Sequence, residues 1–250
     1  MVKAIQFHRV TPKFQYCGTW NYPLQFEGFI RSVKCDFKVV LPGEERDGLV
    51  ITFDDGDMSV YRHAFPVLKK HGVRAIVFLI VEYIGKSDLW DITLLGKRSV
   101  HLGWDEIYEM RDWGIEFGSH TMSHRNLTTL SDDEIGYELS ESKRILESKI
   151  GKVRCISYPF NRVNAKIVEL ARRNGYEYGF GGAGQSDLLI KKEAVYITDT
   201  PWSLRVKIRE QPFAVYRYDR IKQQVINYFT IATMLTKKRT KNRVQDAEAH

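Results

Sequence analysis

Gly48-Leu49-Val50-Ile51-Thr52-Phe53-Asp54-Asp55-Gly56 decides the architecture. Its first part is a short apolar, β-branched run, which predicts a buried strand. The Asp-Asp-Gly that stops it puts two carboxylates and a turn at the strand's carboxyl end. A helix follows from about Met58 to His71, with Val60, Ala64, Val67 and Leu68 at helical spacing and Gly72 as its stop.

The same alternation continues downstream. Arg74 to Val81 reads as a strand, 104–113 as a short helix ended by Gly114, and Ile115 to His120 as another strand. Ser131 and Glu134 form an S-x-x-E capping box that opens a helix with Ile135, Leu139, Leu146 and Ile150 on one face and Gly151 at its end. Val153 to Phe160 is the next strand, Asn164 caps a helix running to Asn174, and Tyr176 to Phe180 is apolar and aromatic again. Upstream, Ala4 to Val10 predicts a strand and the stretch near Phe26 to Val33 a helix. Strands alternating with helices require a largely parallel sheet with crossover connections, either open or closed into a barrel.

The chain has 250 residues, 43% of them hydrophobic, and α/β barrels commonly form single units of about 200–250 residues. One domain over residues 1–230 and a basic, amphipathic tail over 231–250 follow from the pattern. Cys17, Cys35 and Cys155 are widely spaced, which writes neither a disulfide framework nor a zinc knuckle. The opening MVKAIQFHRV has no long apolar run, so a cytoplasmic protein is expected. The net charge of +7 owes much to Lys237, Lys238, Arg239, Lys241 and Arg243. Such a tail suits peripheral contact with the inner membrane surface. A nucleic-acid role finds no aromatic platform or reading helix to support it.

In α/β barrels reactive groups gather at the carboxyl ends of the strands, and three strands here end in polar clusters. The first is Thr52-Phe53-Asp54-Asp55-Gly56, where a turn at Gly56 can bring both carboxylates into one cavity. An Asx turn would account for the same residues. The second is Ser119-His120-Thr121-Met122-Ser123-His124, with two imidazoles four residues apart, a spacing that suits a divalent metal. Two histidines and one Asp leave open coordination positions, the mark of a catalytic site. The third, Ser157-Tyr158-Pro159-Phe160-Asn161, could be no more than a proline-stopped strand.

Taken together, TFDDG, GSHTMSH and SYPFN resemble the motifs of the polysaccharide deacetylases of carbohydrate esterase family 4, the NodB-homology fold, over about residues 48–185. The resemblance implies a distorted (β/α) barrel, a metal held by Asp55, His120 and His124, Asp54 as catalytic base and an oxyanion held at the backbone N–H of Phe160. It also implies removal of an acetyl group from an N-acetylated sugar. Tyr158 and Trp202 resemble the family's substrate contacts. Zinc is the expected ion, with cobalt, nickel or iron also suited to these donors.

Two positions depart from the pattern. The family usually carries an Arg three residues before the aromatic of its third motif, where it orients the base; here that position is Ser157. Arg220 and Arg162 are candidates to replace it. The usual Leu-x-His near the C-terminus is absent, since no histidine lies between His124 and His250. The strand Phe7-His8-Arg9-Val10 is similar to the opening strand of poly-N-acetylglucosamine deacetylases, whose barrel is circularly permuted, and this makes His8 the expected general acid.

The sequence therefore predicts a metal-dependent amidohydrolase acting on a nucleotide-linked or lipid-linked precursor of a surface glycan such as lipopolysaccharide or capsule. The alternative is a catalytically weak barrel that binds glycan or partner proteins, motivated by Ser157. A glycosidase built on Asp54 and Asp55 is excluded, because glycosidase carboxyls flank the scissile bond at about 5 Å or more.

Overall fold

The computed structural model describes residues 2–15, 18–87, 100–182 and 188–221; the predicted tail at 231–250 lies outside them. The elements run β1 (Val2–Phe7), β2 (Arg9–Val10), β3 (Trp20–Asn21), α1 (Pro23–Asp36), β4 (Gly48–Phe53), α2 (Phe65–His71), β5 (Ile76–Leu79), α3 (Trp104–Trp113), β6 (Glu116–Ser119), α4 (Asp132–Ile150), β7 (Cys155–Ser157), α5 (Ala165–Arg173), β8 (Tyr178–Phe180), β9 (Leu189–Ile190), β10 (Lys192–Ala194) and α6 (Pro201–Arg209). A single π-helical turn, Val60–Ala64, leads into α2. Ser131 caps α4 through its side chain, as the box predicts, and Asn164 caps α5 in the same way.

The main sheet has the order β10-β1-β4-β5-β6-β7-β8-β9. Every pairing in it is parallel. β9 and β10 are separated by Lys191 alone, so the two ends of this order belong to one stretch of chain. The sheet is thus nearly closed on itself as a distorted barrel with helices around it. The first strand is second in the order, between β4 and β10, so the opening strand of the chain lies beside its closing one.

Alternation along the strands sorts the side chains into two layers. Ala4, Val50, Ile76, Phe78, Cys155, Phe180 and Ile190 pack together inside the barrel. Ile5, Phe7, Leu49, Ile51, Phe53, Val77, Leu79 and Ile156 face outward against the helices. Phe7 meets Phe26 of α1 edge-on at 5.0 Å and stacks on Phe53 at 5.6 Å, which fastens β1 to both its helix and its neighbouring strand. Each such buried ring contributes about 1.5–3 kcal/mol of transfer free energy. Gly118 of β6 gives the interior its room: a Cβ there would lie 2.5 Å from the Phe78 ring and 2.9 Å from the Cys155 carbonyl.

One interior face changes character toward the carboxyl ends. Gln6 and Thr52, Ser157 and Lys192 continue the inward positions of Ala4, Val50, Cys155 and Ile190. The apolar filling below gives way to polar groups above. The predicted strand Ala4–Val10 divides at His8, because the chain leaves the barrel there and pairs Arg9 and Val10 with Trp20 and Asn21.

Candidate active site

The β4 end turns sharply because Asp55 and Gly56 both take left-handed backbone, with φ of 70° and 69°. Gly56 has no alternative, since a Cβ would come within 2.8 Å of Leu79. The turn is clamped from outside: the His101 Nδ1–H donates to the Asp55 carbonyl at 2.8 Å, and Arg9 Nε lies 3.1 Å from Asp57 Oδ2. Both carboxylates therefore reach one cavity. Five of the six described non-glycine residues with positive φ are Asp55, Thr121, His124, Phe160 and Asn161, all within the three strand-end clusters. Strain concentrated in this way is held by the surrounding structure and points to a functional site.

After β6 the loop bearing His120 and His124 is fastened to α4. The buried Glu138 carboxylate accepts from the backbone N–H groups of Met122 and Ser123, each at 2.9 Å, and from the Ser123 hydroxyl. His120 Nδ1 donates to the Ser157 carbonyl at 2.7 Å, because a carbonyl oxygen can only accept. That bond places the ring proton on Nδ1 and leaves the Nε2 lone pair pointing into the cavity.

Asp55 Oδ1 lies 3.4 Å from His120 Nε2 and 3.5 Å from His124 Nε2. One donor atom from each residue falls within 4.8 Å of the other two, a grouping that could hold a metal ion. The protonation states suit it. Burial pushes the His124 imidazole down to about 4, against the pull of Asp55, so it is neutral near pH 7. Burial would raise the Asp55 carboxyl, but His120 and His124 outweigh it and hold it well below the usual range. A neutral imidazole, an ionised carboxylate and an imidazole with a fixed tautomer form a fitting donor set for a divalent cation.

Asp54 is 2% exposed, and its two oxygens are treated differently. Oδ2 accepts from Gln6 Nε2 at 2.7 Å, from the Ser157 hydroxyl at 2.9 Å and from Lys192 Nζ at 2.7 Å. Oδ1 is buried with no hydrogen-bond partner among the described residues. Burial raises this carboxyl, yet the charge of Lys192 beside it prevails and holds it below its ordinary value, hence ionised. Lys192 and Gln6 are absent from the residues expected from the sequence. Their signal was a polar side chain on an otherwise inward-facing apolar register, Ile190-x-Lys192 across β9 and β10 and Ala4-x-Gln6 in β1.

His8 is brought to this cluster. Its Nε2 lies 3.2 Å from Gln6 Nε2, its Nδ1 is buried without a partner among the described residues, and burial holds it below the ordinary histidine value despite Asp55 and Asp54. Phe160 is 55% exposed, and its ring rests on His124 at 4.8 Å. The other expected residues lie elsewhere. Tyr158 points away from the cavity into the outer core, because Ser157 beside it points inward. Trp202 stands on the exposed first turn of α6. Arg220 donates to the Tyr216 hydroxyl at 3.2 Å, and Arg162 is exposed; neither meets Asp54. The cation at Asp54 is Lys192, delivered by the strand that closes the barrel.

Comparison with known proteins came to the same group. Residues 43–179, more than half the chain, match the family model described as polysaccharide deacetylase. Over 137 residues the chain is 31% identical to the poly-beta-1,6-N-acetyl-D-glucosamine N-deacetylase of Staphylococcus epidermidis, the match covering 52% of this chain and 46% of that protein. The chain thus spans about half the length of that curated relative. Among solved structures, the Streptococcus pyogenes deacetylase PplD in complex with acetate superposes with a TM-score of 0.69 at 21% identity, covering 82% of this chain and 96% of that one. IcaB from Ammonifex degensii gives 0.65 at 24% identity, covering 78% and 91%. These two likenesses establish the fold.

Proposed function

Because this chain belongs to the polysaccharide deacetylase family, we propose that it hydrolyses the N-acetyl group of an amino sugar in a glycan. The observation that carries this reading is the pairing of the Asp55–His120–His124 cluster with an ionised Asp54 whose Oδ1 is left free. A divalent ion held by those three residues, zinc first and cobalt, nickel or iron after it, would supply Lewis-acid polarisation of the amide carbonyl and make a water more acidic.

The chain's own groups do the remainder. Asp54 Oδ1 takes a proton from the attacking water as its oxygen bonds to the acetyl carbon. The negative charge that develops on the carbonyl oxygen falls to the backbone N–H of Phe160. His8, in its protonated form, gives a proton to the sugar nitrogen as the carbon–nitrogen bond breaks, which releases acetate and the free amine. The proton held by Asp54 then balances the one His8 has lost. Phe160, exposed and packed on His124, walls one side of the site. Ser157, which motivates the binding-protein alternative, does not leave Asp54 without a cation, since Lys192 supplies one, and this supports the catalytic reading.

A relative named for poly-beta-1,6-N-acetyl-D-glucosamine favours a glucosamine polymer as substrate over the nucleotide- or lipid-linked precursor expected from the opening residues. No helix among the described residues is long and apolar enough to cross a membrane. The test begins with protein purified without chelator, wild type beside His120→Ala. About one zinc, cobalt, nickel or iron per wild-type chain is expected, and none in the variant. Acetate release is then measured on N-acetylglucosamine oligomers, nucleotide sugars and lipid-linked sugars, with the oligomers expected to react fastest. Wild-type protein that takes up no ion even with added zinc would leave only the glycan-binding alternative.

A further inference from the structure

The buried lysine of the closing strand has a place in this site that the family match does not reach. The match ends at residue 179, before Lys192. The Lys192 side chain is wholly buried, and its Nζ lies 2.7 Å from both Asp54 Oδ2 and the Ser157 hydroxyl. Ser157 in turn donates to the same Oδ2 at 2.9 Å, so the three groups close a triangle. A carboxylate left free to rotate about its last bond could turn either oxygen to the cavity. Three donors from three strands, Gln6 of β1, Ser157 of β7 and Lys192 of β10, pin one oxygen and leave the other bare.

Space makes the arrangement exclusive. With Nζ in hydrogen-bond contact with the Ser157 hydroxyl, a guanidinium built from position 157 would need the volume that the ammonium fills. The small residue and the lysine are two halves of one solution.

We propose that Lys192 is the positioning residue of this site, holding Asp54 so that Oδ1 alone faces the substrate, in the role an arginine at position 157 would otherwise fill. This rests on the reading of Asp54 as the base. A misplaced catalytic group costs about a hundredfold in rate.

The test uses Lys192→Met and the exchange variant Lys192→Ser/Ser157→Arg in the full chain. Lys192→Met is expected to lower kcat about a hundredfold, with KM within threefold of wild type and bound ion undiminished. The exchange variant is expected to recover at least tenfold of that loss, which a merely structural lysine would not allow. A Lys192→Met enzyme within threefold of wild-type kcat overturns the proposal. So does an exchange variant that folds and holds its ion yet stays as slow as Lys192→Met. Where Lys192→Met does not fold, Lys192→Gln keeps a donor without the charge, and the same limits apply. A melting-temperature cycle of Asp54→Asn, Lys192→Met and the double variant reads the ion pair without any substrate. Coupling in that cycle with no acetate released by wild type would overturn the functional reading, and the catalytic role with it, while leaving the contact established. Absence of coupling would overturn the contact itself.

Discussion

Asp54 and Asp55 are chain neighbours with opposite surroundings, and their substitutions should separate accordingly. Asp55 faces two imidazoles, whereas Asp54 is tied at one oxygen and bare at the other. Asp54→Asn is expected to lower acetate release at least a hundredfold with ion content unchanged, within the range of a lost general base. Asp55→Ala should lose both activity and ion, as elemental analysis would show; equal ion content in the two variants would contradict the division of labour. Asp-Asp-Gly and His-x-x-x-His were legible because each is local: the spacing alone puts the groups on one turn. Lys192, Gln6 and Ser157 meet Asp54 across 138, 48 and 103 residues, and no local pattern encodes such a meeting. Tyr158 shows a related limit, lying in the outer core beside an inward-pointing Ser157. A motif names adjacent residues together, but a strand sends them to opposite faces.

Elements were legible in kind and less so in extent. The expected strand Arg74–Val81 contracts to Ile76–Leu79, and Val153–Phe160 to Cys155–Ser157. In the second case Pro159 and the left-handed Phe160 and Asn161 end the extended backbone early, and that ending exposes Phe160 beside His124. The strand that breaks at His8 works alike: leaving the ladder is what delivers the imidazole to the cavity. Helix α4 matters for its Glu138, which holds the loop between the two histidines rather than the histidines themselves. Glu138→Ala should weaken ion retention by about 10–100-fold in chelator competition, the usual consequence of losing support around metal ligands. Retention equal to wild type would mean that the loop holds its own shape. Gly118→Ala belongs to this scale too. Its Cβ would collide with Phe78, so a loss of about 1–3 kcal/mol in denaturant unfolding is expected.

For the whole molecule, the strand order explains why the site needs more of the chain than the family match covers. Residues 43–179 hold Asp54, Asp55, His120 and His124, while Gln6 and Lys192 come from β1 and β10, which pair with each other, and His8 follows directly on β1. The barrel, its helices and the placement of the first strand were all readable from alternation and from the resemblance; the closing lysine was not. The site also leaves a mark on stability. The His124 imidazole is held at about 4 against an ordinary 6.5, so between those values the unfolded chain binds a proton that the folded chain refuses. Stability of chelator-treated protein should therefore fall as pH drops from 6.5 to 4. Its melting temperature should decline by several degrees over that window, and His124→Ala should flatten the decline. An equal slope in the variant would place the effect elsewhere. The pairing of β1 with β10 has a further consequence, in the order of synthesis. A ribosome that has made residues 1–161 has already produced all three candidate ion ligands and the base, yet Lys192 is still untranslated. Through that interval Oδ2 of Asp54 still lacks its cation. Only when the last described strand has emerged and closed against the first does that carboxylate gain its full set of partners.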